Sequence, residues 1–496
     1  MYNISQKEFL SLSRRANVIP VYKEINADLD TPVSCFLKLS KDKYSFLLES
    51  VEGQEKIARY SFLGSKPCFV LSSKGRHIET RDRGTVRRYI AEKDPLDEIK
   101  KIMQGFKPAK IKGLPRFYGG FVGYIGYDYV RFIENIPDRN PDELNIPDTF
   151  LILTDKILLF DHINHTLKII VNVILPADRR PLSAAAKSRR YRQALKQIEE
   201  IDKDFRRPVR AAELDAGRAA GAGGKASVSS NFEKSRFCGI VNKAKEYIKA
   251  GDIIQVVLSQ RFKAKITREP FDMYRSLRGL NPSPYMFYLR LDRVTLIGAS
   301  PELLVRCENG LVQARPIAGT RRRGRTDAED AALEKELLND PKEKAEHLML
   351  VDLGRNDIGR VARPGSVKVA SFMSVERYSH VMHLVSEVNG TLDAKYDVYD
   401  VLRACFPAGT VSGSPKVRAM EIIDELENTR RSTYAGCVGY VSFSGNLDTC
   451  ITLRTMAVVG GTAYIQAGAG IVADSVPAKE YVETQNKARA LVEALQ

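Results

Sequence analysis

A strand, a glycine-rich segment and an acidic helix follow one another in Ala463-Tyr-Ile-Gln-Ala-Gly-Ala-Gly-Ile-Val-Ala-Asp-Ser-Val-Pro-Ala-Lys-Glu-Tyr-Val-Glu483. The apolar run Ala463–Ile465 is typical of a strand. Beyond it, Gly468 and Gly470 lack side chains, so backbone N–H groups there could approach a carboxylate closely, or the glycines could form a tight turn. The third glycine and the strand–helix spacing of a dinucleotide fingerprint are absent, which excludes that kind of site.

The helix at the end of this stretch carries two carboxylates on one face. Ser475 can cap the helix and Pro477 suits its first turn, so we expect the helix to begin here. Glu480 and Glu483 are three residues apart, which places both on the same side of the helix. A solvated acidic surface is the ordinary interpretation of one such pair taken alone.

A second helix, far away in the sequence, repeats this arrangement. Asp340 is a good N-cap and Pro341 suits the first helical position, and Glu343 and Glu346 again share a face. Mg²⁺ takes oxygen ligands and keeps several waters, so four such carboxylates would suit an ion that also binds an anionic substrate. The spacing alone does not show that the two helices meet.

The composition is that of a globular protein with two or three domains: 496 residues, 44% hydrophobic and 28% charged. No apolar run could span a bilayer and the N-terminus lacks a signal-peptide core, so we expect a cytoplasmic protein with no membrane association. The seven cysteines are scattered without a Cys-x-x-Cys pair, which argues against a disulfide framework or zinc knuckle. The net charge of +16 raises nucleic-acid binding as an alternative. No helix-turn-helix pattern or aromatic-interleaved basic stripe accompanies it, so a solvated basic surface is favoured.

Three segments of the chain differ in composition. Residues 1–175 contain β-branched and apolar runs and are expected to form a strand-rich N-terminal domain, to which the resemblance described below assigns a regulatory site. Residues 176–230 contain a basic helix, Ala184–Phe205, and an Ala-, Gly- and Ser-rich linker over 211–230. Residues 231–496, where helices and strands alternate, are expected to form the catalytic domain. The pattern Tyr-x-Gly-x-Val-Gly-Tyr at Tyr118–Tyr124 recurs at Tyr434–Tyr440 and supports a sheet in each half.

Two other segments contain candidate catalytic groups. Pro407–Lys416 is a Thr/Ser-rich loop before a helix, and it could bind an anion or form an ordinary capped turn. His383 lies beside apolar residues; such a histidine usually packs in a core, and general acid–base catalysis is the alternative. No His-Glu-x-x-His zinc motif is present. Taken together, the residues indicate a Mg²⁺-dependent enzyme that acts on an anion.

Five motifs mark the second half of the chain: Arg315–Thr320, Asp352–Asp357, His383–Ser386, Pro407–Lys416 and Ala467–Glu483. They occur in the order found in chorismate-utilising enzymes, which the chain resembles from Asn231 to Leu491. Its N-terminal half resembles the domain specific to anthranilate and aminodeoxychorismate synthases, notably in Leu47–Ser50 and Ala58–Leu63. The resemblance implies an α+β fold in which two large antiparallel β-sheets pack as a sandwich with helices outside. The N-terminal part would be interleaved with the catalytic part.

The resemblance also implies a metal site with Mg²⁺ as the cofactor. Glu346 and Glu483 would be direct ligands, and Glu343 and Glu480 would support the ion through water. The ion would hold the ring carboxylate of chorismate and stabilise charge as the leaving group departs.

Further residues match substrate-contacting positions of the family. Glu302 resembles the general acid that protonates the departing C4 hydroxyl, because hydroxide is a poor leaving group. His383 resembles the histidine of the second step, which is proton removal at C2 with loss of pyruvate, and Thr410 is a third catalytic position that lines the ring. Arg454 and Lys487 would bind the enolpyruvyl carboxylate. The other positions expected around the substrate are Gly319, Thr320, Tyr434, Gly468 and Gly470.

Two positions discriminate between members of the family. Isochorismate and salicylate synthases carry a lysine base where this chain has Gln255; a neutral amide cannot take a proton from water, so ammonia is the expected nucleophile. Aminodeoxychorismate synthases typically carry a lysine where this chain has Ala318, and that lysine directs amination to C4. The resemblance therefore implies a lyase that aminates chorismate at C2 and eliminates pyruvate to give anthranilate, the first step of tryptophan biosynthesis. Aminodeoxychorismate synthase is the alternative.

Regulation and partners are implied in the same way. Glu49 and Ser50, with Pro284, Tyr285 and Met286, resemble the tryptophan pocket of feedback-inhibited members, in which Glu49 could pair with the ligand ammonium. The chain has no glutaminase motif of the Gly-x-Cys-x-Gly type. A separate glutamine amidotransferase subunit is therefore expected, in a heterotetramer of two large and two small subunits.

Overall fold

The computed structural model describes residues 2–39, 42–50, 59–82, 84–176, 182–208, 227–378 and 381–496. Residues 211–226 of the predicted linker lie outside the described residues, and so does Ala58 of the motif Ala58–Leu63. Among the residues described, none of the helices combines the length and apolar character that crossing a membrane requires.

The described residues form 24 strands and 11 α-helices. The strands are β1 (Val18–Asn26), β2 (Tyr44–Glu49), β3 (Tyr60–Ser65), β4 (Phe69–Lys74), β5 (His77–Asp82), β6 (Thr85–Ile90), β7 (Gly120–Ile125), β8 (Thr149–Thr154), β9 (Lys156–Asp161), β10 (Thr166–Ile174), β11 (Ser229–Ser230), β12 (Gln255–Lys265), β13 (Tyr285–Leu291), β14 (Val294–Ser300), β15 (Leu303–Glu308), β16 (Leu311–Ala314), β17 (Ile317–Arg322), β18 (Lys368–Arg377), β19 (Val381–Thr391), β20 (Gly413–Ser414), β21 (Cys437–Ser442), β22 (Leu447–Ile451), β23 (Thr455–Val459) and β24 (Thr462–Ile471). The helices are α1 (Gln6–Leu12), α2 (Pro32–Leu39), α3 (Pro95–Gln104), α4 (Ala184–Phe205), α5 (Lys234–Lys249), α6 (Pro270–Leu280), α7 (Asp327–Asn339), α8 (Pro341–Gly359), α9 (Val398–Cys405), α10 (Lys416–Leu426) and α11 (Pro477–Ala494).

Two antiparallel sheets of twelve strands each organise the described part of the chain. The first has the order β1-β10-β9-β3-β2-β13-β14-β23-β24-β12-β11, and β20 also pairs with β12. The second has the order β17-β19-β16-β15-β22-β21-β7-β8-β4-β5-β6, and β18 also pairs with β19. Strands of the N-terminal and C-terminal halves pair directly in both sheets, β2 with β13 and β7 with β21. The predicted fold class and the interleaving of the two halves are therefore confirmed.

The main core lies between the two sheets. Phe46 and Phe62 of the first sheet share one buried cluster with Phe121 and Phe150 of the second. The Phe62 ring centroid lies 5.9 Å from that of Tyr440 in an edge-on contact across the sheets. This apolar layer is the largest source of hydrophobic stabilisation in the fold, because burial removes its aromatic surface from water.

A second core lies on the outer face of the first sheet. Helix α4 presents Tyr191, Ala194, Ile198 and Phe205 to it, at the three- and four-residue spacing of one helical face. The predicted helix Ala184–Phe205 has the same bounds as α4. Helices α6 and α11 cover the same face further along.

The two tyrosine- and glycine-containing repeats are neighbours in one sheet. They form strands β7 and β21, which pair so that Gly123 lies opposite Gly439. A Cβ atom at Gly123 would lie 2.0 Å from the carbonyl oxygen of Phe150, and one at Gly439 would lie 2.1 Å from that of Asp448. The glycines are thus required by close approach of adjacent strands. The two repeats had been expected to mark a separate sheet in each half of the chain. This expectation was wrong, because both repeats contribute strands to the second sheet.

The starts of the two acidic helices differ from each other. Asp340 caps α8 as predicted, and its carboxylate accepts hydrogen bonds from the backbone N–H groups of Lys342 at 2.9 Å and Glu343 at 3.2 Å. The N-cap of α11 is Val476, so the prediction of Ser475 was wrong. The Ser475 hydroxyl accepts instead from the N–H of Val472, which closes the turn before the helix.

The glycine-rich segment is part of a long strand. Gly468 and Gly470 lie inside β24, opposite Ser259 and Val257 of β12. A tight turn at these glycines is therefore excluded, and their backbone forms one wall beside the start of α11.

Candidate functional site

A cavity of about 760 Å³ lies between α8, α11, β17, β24 and the loop that precedes α10. The structure brings together here every residue that the sequence predicted for the metal and the substrate. These residues are Gln255, Glu302, Ala318, Gly319, Thr320, Glu343, Glu346, His383, Thr410, Tyr434, Arg454, Gly468, Gly470, Glu480, Glu483 and Lys487. The two acidic helices, far apart in sequence, thus face one space.

Two of the four acidic groups form ion pairs with basic side chains of the protein. Arg321 donates from Nη1 to Glu343 Oε1 at 3.1 Å, and Lys487 Nζ lies 2.8 Å from Glu483 Oε1. Within the described ranges, no three His, Cys, Asp or Glu side chains are close enough to hold an ion as they stand. A cation between the helices would compete with Arg321 for Glu343 and with Lys487 for Glu483.

The other two acidic groups are electrostatically unfavourable without a cation. Burial and the neighbouring Glu343 carboxylate raise the pKa of Glu346. Burial and Glu483 raise the pKa of Glu480, although its contact with Ser475 acts in the opposite direction. A divalent cation would relieve this repulsion, and an all-oxygen donor set is the kind that Mg²⁺ prefers. The residues at this end of the cavity therefore fit Mg²⁺.

Glu302 is a buried carboxyl group beside the reacting space. It follows β14, and its carbonyl oxygen accepts a hydrogen bond from Ile451 N–H at 3.0 Å, which fixes the backbone. Burial raises the pKa of Glu302 to about 8, while Thr410, Lys487 and Arg454 act to lower it. The carboxyl group therefore carries its proton at neutral pH, as a general acid must.

His383 of β19 is oriented as a base. Its Nδ1 lies 2.9 Å from the carbonyl oxygen of Gly319 and 3.1 Å from the Thr320 hydroxyl. The carbonyl can only accept, so we assign the proton to Nδ1, which leaves Nε2 unprotonated. Burial lowers the pKa of His383, which keeps the ring neutral. A neutral imidazole with a free Nε2 can remove a proton from a substrate carbon.

Two basic side chains, Arg454 and Lys487, also line the cavity. No carboxylate of the described residues forms an ion pair with Arg454, whose guanidinium has only a long hydrogen bond of 3.5 Å to the Asn281 amide oxygen. Its φ of 45° lies in the left-handed region, a strained conformation that is common at functional sites. Lys487 Nζ donates to the Gly468 carbonyl at 3.0 Å and also lies 2.8 Å from Glu483 Oε1. Basic side chains of this kind suit a carboxylate of a ligand.

The two discriminating positions also line the cavity. Gln255 begins β12, and a Cβ atom at Gly470 would lie 2.5 Å from its Nε2, so the amide lies against β24. Ala318 precedes Gly319, which has a φ of 65° at an irregularity of the β17–β19 pairing. Neither side chain can form a covalent bond to a substrate or activate water as a base.

A second, smaller cavity of about 60 Å³ contains all five residues predicted for an inhibitor: Glu49, Ser50, Pro284, Tyr285 and Met286. Glu49 is the last residue of β2 and lies opposite Met286 of β13, and Ser50 directly follows it. Glu49 Oε2 accepts hydrogen bonds from the Tyr274 hydroxyl and from Arg278 Nε. Its Oε1 and the Ser50 hydroxyl have no partner among the described residues. These two buried oxygens could accept hydrogen bonds from a ligand ammonium.

Some cavity residues were not predicted from the sequence. Asn281, Lys342, Gln466 and Asn486 line the main cavity, and Arg321 holds Glu343. Arg321 begins the basic run over residues 321–325, which by composition alone indicates only a solvated surface. Its position directly after the Gly-Thr of the first motif is the signal that could have placed it beside the cavity.

Comparison with known proteins gives consistent results. The sequence model of the family described as chorismate binding enzyme matches residues 44–493. Anthranilate synthase component 1 of Aquifex aeolicus is 50% identical over 495 residues, covering 100% of this chain and 98% of that protein. The protein of the same name from Acetivibrio thermocellus is 48% identical over 497 residues, covering 100% of this chain and 99% of its own length.

Solved structures agree. Anthranilate synthase component I from Streptococcus pneumoniae superposes with a TM-score of 0.75 at 36% identity, covering 94% of this chain and 99% of that chain. The menaquinone-specific isochorismate synthase of Escherichia coli shares the fold, with a TM-score of 0.69 at 19% identity over 99% of each chain. The family and type of enzyme expected from the motifs are confirmed. The chain belongs to the chorismate binding enzyme family and, within it, to the anthranilate synthase component 1 enzymes.

Proposed function

We propose that this chain aminates chorismate at C2 with ammonia and then eliminates pyruvate to give anthranilate, in a reaction that depends on Mg²⁺. The observation that carries the proposal is one cavity with a protonated acid, Glu302, and a neutral base, His383. The two chemical steps need these two groups. Four carboxylates suited to a cation and two basic side chains suited to a carboxylate line the same cavity.

The residues divide the work between binding and proton transfer. Arg454 and Lys487 bind the enolpyruvyl carboxylate. Glu302 gives its proton to the C4 hydroxyl, which leaves as water while ammonia forms the new bond at C2 and the ring double bonds shift. The new C2 ammonium group loses its extra proton to water. His383 Nε2 then removes the C2 proton as the C3–O bond breaks, the ring becomes aromatic, and the departing enolate takes up a proton to become pyruvate. Glu346 and Glu483, with support from Glu343 and Glu480, would hold Mg²⁺, which would supply positive charge at the ring carboxylate.

The side chains at positions 255 and 318 support ammonia as the nucleophile and C2 as the carbon that it attacks. Gln255 lacks the basicity to activate water, and Ala318 leaves the space beside C2 open. The relatives are named component 1, which supports a second component as partner. We propose that this partner is a glutamine amidotransferase that supplies ammonia, in a tetramer of two large and two small subunits.

The activity assay uses the isolated chain with chorismate, Mg²⁺ and ammonium. We expect anthranilate, detected by its blue fluorescence, and pyruvate in equal amounts, and we expect a chelator to stop the reaction until Mg²⁺ is restored. A 4-amino product without pyruvate would instead indicate aminodeoxychorismate synthase. Salt-sensitive binding of DNA without chelator-sensitive turnover would indicate the basic nucleic-acid-binding alternative.

We further propose that tryptophan inhibits the enzyme from the smaller cavity. The supporting observation is the pair of unpartnered oxygens on Glu49 and Ser50, which lie beside the apolar residues Pro284 and Met286. A ligand ammonium and an indole ring would satisfy both features. Strand β13 connects this cavity to the acid, because Tyr285 pairs with Ser300, two residues before Glu302.

Replacement of Glu49 by alanine is expected to raise the tryptophan concentration needed for half-inhibition by about tenfold or more, because a hydrogen bond to a charged group is lost. Turnover without tryptophan should be unchanged. The chain contains no tryptophan, so the indole fluorescence of the added ligand reports its binding directly. Glu24→Ala, an exposed change in the same sheet, is the control. Full sensitivity of Glu49→Ala would place the inhibitor elsewhere.

A further inference from the structure

The Glu427–Arg431 ion pair is buried just outside the wall of the main cavity. Both side chains are only 2% exposed, and neither lines the cavity. Arg431 Nη2 lies 2.6 Å from Glu427 Oε1, and Nε lies 3.0 Å from Oε2, so the contact is bidentate. A buried ion pair contributes little net stability, because desolvation offsets the attraction between the charges. Stability alone therefore does not explain this pair.

The pair contacts backbone at two places in the cavity wall. Arg431 donates from Nη1 to the carbonyl of Val411 at 2.6 Å and from Nη2 to the carbonyl of Val257 at 2.7 Å. Val411 directly follows Thr410, and Val257 lies two residues after Gln255. The two segments also contact each other, since Val257 N–H donates to the Ser412 carbonyl at 2.9 Å.

The pair also contacts Ser259, which lies behind the wall, and the wall residue Tyr434. Glu427 Oε1 accepts from the backbone N–H and the hydroxyl of Ser259, each at 2.8 Å, and Ser259 lies opposite Gly468 in the sheet. The Arg431 guanidinium carbon lies 5.4 Å from the centre of the Tyr434 ring. The Tyr434 hydroxyl lies against Gly468, where an added Cβ would be only 2.6 Å away.

We propose that Glu427 and Arg431 are positioning residues of the reaction, which hold the wall segments around Thr410, Gln255 and Tyr434 in register. A guanidinium suits this role because its planar set of donors binds a carboxylate and two carbonyls in fixed directions. Lysine keeps the charge but cannot make these contacts together. The inference rests on the proposed function, because the groups that are positioned are those of the two-step reaction.

The kinetic test is Arg431→Lys in the complete chain with chorismate, Mg²⁺ and ammonium. We expect kcat to fall about 100-fold, as for misplacement of catalytic groups by about 1 Å. KM for chorismate should change much less, because Arg454 and Lys487 are not contacted by the pair. The matched control is Arg403→Lys, which removes a comparable set of contacts to Asp94 and Asp97 away from the cavity. The control should lose thermal stability but keep kcat.

Hydrogen exchange gives a second measurement that does not depend on activity. In Arg431→Lys, amides of residues 255–259 and 409–414 should exchange faster than in the parent protein, and in Arg403→Lys they should not. If Arg431→Lys does not fold, Ser259→Ala, which removes the hydroxyl that donates to Glu427 and accepts from Gln466 Nε2, must lower kcat without a loss of stability greater than that of the control. Unchanged kcat in a folded variant, or unchanged exchange, overturns the positioning role. An inactive parent protein contradicts the proposed function instead, and exchange then decides the positioning role alone.

Discussion

Replacement of Glu483 by alanine is expected to reduce chorismate turnover with ammonium by about 100-fold or more, because a catalytic metal ion contributes several kcal/mol to transition-state stabilisation. Glu483 faces the cavity from α11, opposite Glu346 of α8. Its removal would leave the ion without a ligand from one of the two helices. Initial rates at saturating Mg²⁺ and a calorimetric titration with Mg²⁺ measure the effect, and both activity and Mg²⁺ affinity should fall.

The matched control for this substitution is Glu493→Ala. Glu493 lies on the same helix, is exposed and does not line the cavity. The control should keep parental rates and parental Mg²⁺ affinity. Lys487 loses its ion-pair partner in Glu483→Ala, so Mg²⁺ affinity is the measurement that separates ligand loss from this secondary effect. Parental activity in Glu483→Ala would remove this residue from the site.

Replacement of Glu302 by glutamine should lower kcat by about 10²- to 10⁴-fold, the range usual for loss of a general acid. Glutamine has the same shape but cannot transfer a proton to the C4 oxygen. Glu308→Gln, a half-buried change outside the cavity, controls for the loss of a carboxylate. If Glu302→Gln forms anthranilate with the kcat of the parent protein, another group protonates the leaving hydroxyl.

The same residue predicts the pH dependence of the parent enzyme. Burial raises the pKa of Glu302 to about 8, so the protonated, active form prevails below this pH. The value of kcat should therefore fall as pH rises through about 8, when free ammonia is kept constant at every pH. The alkaline limb should disappear in Glu302→Gln. A parent profile that stays flat above pH 8 would contradict the assignment of the acid.

Local sequence signals predicted some elements well and others poorly. Asp340 and Pro341 define the start of α8 because capping depends on a few adjacent residues. The glycines at 468 and 470 suggested a turn, but ten pairings between β24 and β12 hold them in a strand. Sheet pairing of segments hundreds of residues apart, such as β7 with β21, leaves no local signal in either segment.

The candidate site was predicted through family motifs, since spacing could not bring its two acidic helices together. The motifs identified residues that line the main cavity but not the residues outside it that contact them. Arg321 and Arg431 were missed for this reason, because each contacts residues distant in sequence. For Arg431, the four-residue spacing from Glu427 just before Tyr434 was the only local indication.

In the proposed reaction, carboxylates of α8 and α11 hold one divalent cation that binds the substrate. The most direct test is a crystal structure with Mn²⁺ in place of Mg²⁺, because the anomalous scattering of Mn²⁺ locates the ion independently of the refined atoms. We predict one strong peak between the two helices, in contact with carboxylate oxygens of Glu346 and Glu483. A peak elsewhere in the cavity, or none in crystals of active protein soaked with Mn²⁺, would contradict the account.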